Sequence, residues 1–158
     1  MRHIISALVE NKSGVLAHIA GLFSARGYNI DSLTVSETED PRFSRATVVT
    51  QGEEAVIEQI RKQLERVVDV IKVQDFAGED FVERDLMLIK VHAPHGRRGE
   101  IFELAEVFKC NVVDIGPKHV MLEVSGPENK LEALVALLKP YGIKEMARTG
   151  RVALRRGA

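Results

Sequence analysis

The chain has 158 residues, 45% hydrophobic and 28% charged, a balance that excludes intrinsic disorder. Its 22 basic and 23 acidic residues leave a net charge of −1, Trp is absent and aromatic residues make up 5%. The basic footprint and the stacking platforms of a nucleic-acid binder are therefore missing. The single cysteine, Cys110, rules out an intrachain disulfide. No apolar run approaches the roughly 20 residues that span a bilayer, and the opening Met1 to Lys12 lacks a signal-peptide pattern, so the chain is expected to be cytoplasmic.

Arg2 to Glu10 alternates, with Ile5, Ala7 and Val9 on one face and Ile4, Ser6 and Leu8 on the other, which predicts a strand. Asn11 to Gly14 is a polar break in which Ser13 is placed to cap a helix. That helix is predicted over Val15 to Arg26 from the spacing of Val15, Ile19, Leu22 and Phe23, with Gly27 ending it in a left-handed conformation. Asn29 to Glu37 and Ser44 to Gln51 read as a hairpin around the Glu39-Asp40-Pro41-Arg42 turn. A second helix follows over Glu53 to Arg66, its stripe formed by Ile57, Ile60 and Leu64, and then a strand over Val68 to Asp75.

Periodicity pauses over Phe76 to Asp80, and the same order then recurs. Strands are predicted at Leu86 to His92, Val112 to Ile115, His119 to Val124 and Ile143 to Ala147. Helices are predicted at Gly99 to Phe108 and Glu128 to Leu138. The chain thus reads as α+β, with two tandem ferredoxin-like βαββαβ domains, at 1–76 and 84–158, joined by a linker at 77–83. Each would carry two helices on one sheet face and leave the other face open to pack against something. Small domains of this size gain burial by self-association, so a homodimer is expected.

The informative segment for chemistry is Glu10 to Leu16. A strand ends, a polar loop turns and a helix begins. Unpaired backbone N–H groups at that N-terminus suit a carboxylate or phosphate. Gly14 lets a ligand approach the backbone, and Asn11 offers both acceptor and donors. Asn29 follows the Gly27 turn at the head of a strand. Taken singly, Asn11, Ser13 and Gly14 are better explained as cap and turn, and Asn29 as a turn former.

Together these segments resemble a known family. The opening His3-Ile4-Ile5-Ser6-Ala7-Leu8-Val9-Glu10-Asn11-Lys12-Ser13-Gly14-Val15-Leu16 and the run Gly21 to Val35 resemble ACT-domain proteins. Most closely they resemble the regulatory small subunits of acetohydroxyacid synthase, also called acetolactate synthase. Asp40 to Arg45, Gln59 to Leu64, Val68 to Val73 and Glu83 to Val91 are similar too, while the later half matches in topology and length more than in motif.

The resemblance implies an N-terminal ACT domain in a subunit that is not an enzyme by itself. It implies activation of a catalytic large subunit and feedback inhibition by a branched-chain amino acid, valine being the expected effector, in valine, leucine and isoleucine biosynthesis. The effector would bind between two chains, one giving Asn11, Gly14, Val15 and Leu16, the other Asn29 and Ile30. Asp31 is given no ligand role. No cofactor is expected in this chain; thiamine diphosphate, FAD and Mg²⁺ would belong to the catalytic partner. No nucleic-acid or membrane partner is expected.

Two other readings are weighed. An amino-acid-sensing transcriptional or other metabolic regulator with this fold would need a DNA-binding element, and no helix-turn-helix segment is recognisable. A stand-alone enzyme would need a catalytic constellation, and none stands out. His92 and His95 are three apart, but Pro94 keeps a helix from presenting both, and no third ligand is near in sequence. The basic clusters at Arg97 and Arg98 and from Arg148 to Arg156 read first as solvated surface and second as a contact for an acidic partner.

Overall fold

The computed structural model describes residues 2–157. It divides the chain into two compact units. The first comprises the residues through Val82 together with the C-terminal segment from Arg151; the second comprises Glu83–Gly150.

In the first unit the elements are β1 (Arg2–Glu10), α1 (Val15–Ala25), β2 (Ile30–Glu37), β3 (Phe43–Gln51), α2 (Glu54–Glu65) and β4 (Val70–Asp75). The strands form an antiparallel sheet in the order β2-β3-β1-β4. This order leaves β2 and β4 at the edges. Ile5, Ala7 and Val9 of β1 and Ala46 and Val48 of β3 point to the helices. There they meet Val15, Ile19 and Phe23 of α1 and Ile57, Ile60 and Leu64 of α2 in one core. The α1 stripe is the one its spacing predicts, because residues three and four apart share a helix face.

The helix begins differently from expectation. Gly14, at φ +88°, is its N-cap, and no side chain caps it. Ser13 therefore does not serve as the cap. A cap needs an extended backbone at the capping residue, and the left-handed turn at Gly14 comes between Ser13 and the helix. Gly27 does adopt the left-handed conformation, at φ +72°.

The open sheet face was expected to await a partner, and in this unit the chain covers part of it itself. Residues 3–7 of β1 are buried on both faces. Behind the sheet, Ile4 and Val49 form a second small core with Phe76, Phe81 and Ala153. Phe76, where the sequence periodicity pauses at the end of the first domain, is only 1% exposed. Its ring lies 5.1 Å from that of Phe81, in a tilted arrangement. Ala153 belongs to β9 (Val152–Arg155), a short strand missed in the sequence, which pairs with β5 (Phe81–His92). The Arg151 amide donates to Ser32 Oγ at 3.0 Å and the Arg156 amide to the Asp80 carbonyl at 2.8 Å. The tail that the sequence assigned to the second domain thus packs with the first unit.

The second unit repeats the topology. After β5 come α3 (Arg98–Val107), β6 (Asn111–Ile115), β7 (His119–Gly126), α4 (Glu128–Leu138) and β8 (Ile143–Arg148), in the sheet order β6-β7-β5-β8. Met87, Ile89 and Val91 of β5 pack with Val120, Leu122 and Val124 of β7 against Ile101, Leu131, Leu134 and Leu138 of the helices. Cys110 is half-buried beside this core, and burial pushes its thiol pKa up.

Candidate functional site

The loop between β1 and α1 forms the rim of a cavity of about 120 Å³. Its floor is Val35, Ser44 and Ala46 of the sheet. Its wall is Val15, Leu16 and Ile19 of α1, and its rim is Glu10, Asn11 and Lys12. The register explains the floor. Ser44 pairs with Val9 and with Glu37, and Ala46 with Ala7 and with Val35, so small side chains from β3 leave room beneath the start of α1.

The rim is electrostatically arranged. Asn11 donates through its side-chain amide to Glu37 Oε1 at 3.0 Å and to the Pro41 carbonyl at 3.1 Å. With both N–H groups engaged, the Asn11 side-chain oxygen is left as acceptor. Lys12 Nζ lies 2.7 Å from Glu10 and 3.5 Å from Asp69. The Glu10 carboxylate, and then Asp69, hold the Lys12 pKa above its ordinary value, so the rim carries a fixed ammonium. Gly14 has no heavy atom within 4 Å of a notional Cβ. The space above the uncapped helix end is open, and the helix N–H groups that lack an intrahelical partner face it without a side-chain cap.

Val15 is buried, while Leu16 is 44% exposed and offers an apolar surface to anything entering the cavity. Asn29 and Ile30 do not line this cavity. They line a separate, open depression with Ala20, Ser24, Gly27 and Tyr28, at the other end of α1. Asn29 is exposed, and its carbonyl accepts from Thr50 Oγ1 at 2.8 Å, which fixes the start of β2. Within one chain the structure therefore brings together Asn11, Val15 and Leu16, and separately Asn29 and Ile30. Asp31 pairs with Arg2 at 3.6 Å and with Gln51 at 3.1 Å across the strands.

Lys12, Val35, Ser44 and Ala46 are site residues that sequence reasoning missed. Lys12 stood inside the marked loop. The small residues of β3 became visible only once the strand register was known.

The basic clusters resolve into internal contacts. Arg98 donates through Nε to the Ala93 carbonyl at 2.9 Å and through Nη2 to the Gly116 carbonyl. Arg97 stacks 4.3 Å from the centre of the Tyr141 ring. Arg148 donates to buried Asp85 at 2.5 Å, Arg151 is buried, and Arg156 lies 3.2 Å from Asp80. Among the described residues no group of three potential metal ligands lies together. No helix there is long and apolar enough to cross a membrane.

A tandem pair of ferredoxin-like units, with a small cavity at the first loop-to-helix junction of the first, places the chain in the class of two-unit α+β proteins of that fold. Residues 5–72 match the family model of the AHAS small subunit-like ACT domain, and residues 84–157 match that of the small subunit of acetolactate synthase. A probable acetolactate synthase small subunit of Archaeoglobus fulgidus is 51% identical over 157 residues, covering 99% of this chain and 98% of the relative. The acetolactate synthase small subunit of Bacillus subtilis is 48% identical over 99% of this chain and 92% of the relative. The crystal structure of the acetolactate synthase small subunit from Thermotoga maritima superposes with a TM-score of 0.89 at 40% identity, covering 100% of this chain and 99% of that one. The chain belongs to the acetolactate synthase small-subunit family.

Proposed function

We propose that this chain is the non-catalytic regulatory subunit of acetolactate synthase. It raises the activity of a catalytic large subunit and makes that activity sensitive to valine. The observation that carries the reading is the cavity below α1. A free amino acid needs donors for its carboxylate, an acceptor for its ammonium and an apolar wall for its side chain. The uncapped α1 terminus, where Val15 lines the cavity and Gly14 adjoins it without lining it, supplies the first, the Asn11 side-chain oxygen the second, and Leu16 with Val35 the third.

The topology supports a site shared by two chains. β2 is an edge strand whose far end, at Val35, lines the cavity, and whose start, at Ile30, lines the depression with Asn29. Antiparallel pairing of two β2 strands about a two-fold axis sets the start of one against the end of the other. Asn29 and Ile30 of one copy then close the cavity of its partner. The effector biases the dimer only if it binds two arrangements with different affinity. Thiamine diphosphate, FAD and Mg²⁺ reside on the catalytic subunit in this reading.

Calorimetric titration with valine, alone and with the catalytic subunit, tests the site. Gly14→Asp and Gly14→Asn both place a side chain at a left-handed position that Asp and Asn tolerate better than other residues. Only the first sets a negative charge against the ligand carboxylate. Gly14→Asp is expected to weaken binding by more than about tenfold, or ~1.4 kcal/mol, with Gly14→Asn affected less. Asn29→Ala, in the other half-site, is expected to weaken it as well. Equal affinity in wild type, Gly14→Asp and Asn29→Ala refutes this placement of the effector.

A further inference from the structure

On the reverse face of the same sheet the first unit holds a second and larger cavity, of about 210 Å³. The strand register accounts for its character. Three rows cross β3, β1 and β4 on this face. Val49 and Ile4 form the apolar row, which Phe76 and Ala153 cover. Thr47, Ser6 and Gln74 form the next, and Arg45, Leu8 and Lys72 the last. The C-terminal segment ends the coverage there, and Leu154 and Arg155 wall the cavity over the polar and basic rows.

Three cations, Arg45, Lys72 and Arg155, thus line one cavity, and no carboxylate among the described residues lines it. Ser6 is 1% exposed and accepts from Arg45 Nη1 at 2.9 Å, which fixes one guanidinium at the cavity wall. Among the described residues Lys72 makes no ion pair and the Gln74 side chain no hydrogen bond. Arg155 is partly neutralised by Glu79 at 3.6 Å. Cations gathered without a facing carboxylate repel one another, and a multivalent anion relieves that repulsion. The planar fork of Arg45 suits two oxygens of a tetrahedral oxyanion, and the Lys72 ammonium suits a point contact.

We propose that this cavity binds a small phosphate-bearing molecule, as a site distinct from the amino-acid cavity on the helix-covered face. Its volume admits one or two phosphoryl groups. Arg45 and Lys72 hold the anion from the sheet, the Gln74 amide donates to it, and Arg155 brings the C-terminal segment onto it. Bound anion therefore ties the tail to the back of β1, the strand whose end forms the rim of the amino-acid cavity.

Titration of the full chain with inorganic pyrophosphate at constant ionic strength tests the site, with backbone amide shifts read by NMR. Saturable binding is expected, with shifts concentrated at Ser6, Gln74 and Arg155. Lys72→Gln and Arg45→Gln should each weaken it about tenfold or more. Lys72 is exposed, so its variant keeps the fold and the test holds even if Arg45→Gln does not fold. Arg84→Gln, in the second unit, should leave binding unchanged. A response that never saturates, or equal affinity in wild type and Lys72→Gln, overturns the proposal. Equally tight binding of succinate overturns the assignment to phosphate.

Discussion

At the residue scale, the site depends on backbone conformation as much as on side chains. Gly14 was marked both as a close-approach glycine and as one that eases the turn, and its left-handed φ of +88° gives the second reading its cause. The cap assigned to Ser13 was not legible, because a capping side chain and a bystander look alike until the turn geometry is known. The β2–β3 turn shows the opposite case. Asp40 accepts from the Arg42 backbone amide at 3.0 Å and from the Arg42 guanidinium at 2.6 Å. The hydrogen bonds from the Arg42 side chain, and then its backbone, lower the Asp40 pKa to about 2. A carboxylate depressed below its unfolded value of roughly 3.9 contributes stability above that pH, and the contribution is lost as pH falls toward the folded value. An NMR titration should therefore find Asp40 titrating at about 2 in the native chain and higher in Arg42→Gln, which loses the guanidinium but keeps the backbone donor. A midpoint near 4 in both would show that the staple does not form. The Pro41 carbonyl beside it accepts from Asn11, so this turn also steadies the rim of the cavity beneath α1.

At the element scale, nearly every helix and strand of the repeat was readable from periodicity, because most bury one stripe or one face on a local core; the edge strands β6 and β8 are the exceptions. α4 and β1 fall at their expected bounds, and most other elements within a residue or two. What escaped was long-range. β9 is four residues with one buried side chain, too short to show a period, and only pairing with a distant strand makes it a strand. Phe76 carried no signal because the periodicity pauses from there to Asp80, yet it fills the core behind the first sheet. Phe76→Ala should destabilise the first unit by about 3–5 kcal/mol. Val68→Ala, at a side chain 92% exposed, should change stability by no more than about 0.5 kcal/mol. Chemical denaturation of the two variants measures the contrast. Similar values for both would mean that the second core contributes nothing.

At the scale of the whole molecule, the two units repeat one topology with different surroundings. The first commits its reverse face to the C-terminal segment, and the second keeps β6 exposed at a sheet edge, with Val112, Val113 and Ile115 open to solvent. An edge of that kind is a natural place for pairing. The candidate site itself was half legible. Both segments, Asn11 to Leu16 and Asn29 with Ile30, were identified from sequence and given to different chains by the family resemblance, but their placement at opposite ends of α1 needed the fold. The small-residue floor of Ser44 and Ala46 needed the register.

The central claim is that this chain regulates a catalytic subunit that it does not replace. The measurement that tests it most directly is acetolactate formation by the catalytic subunit, with and without this chain, over a range of valine concentrations. The account predicts no turnover by this chain alone, higher turnover by the catalytic subunit when the chain is added, and inhibition by valine only in the mixture. Acetolactate formation by this chain alone, or a catalytic subunit whose rate and valine response are unchanged by its addition, would contradict it.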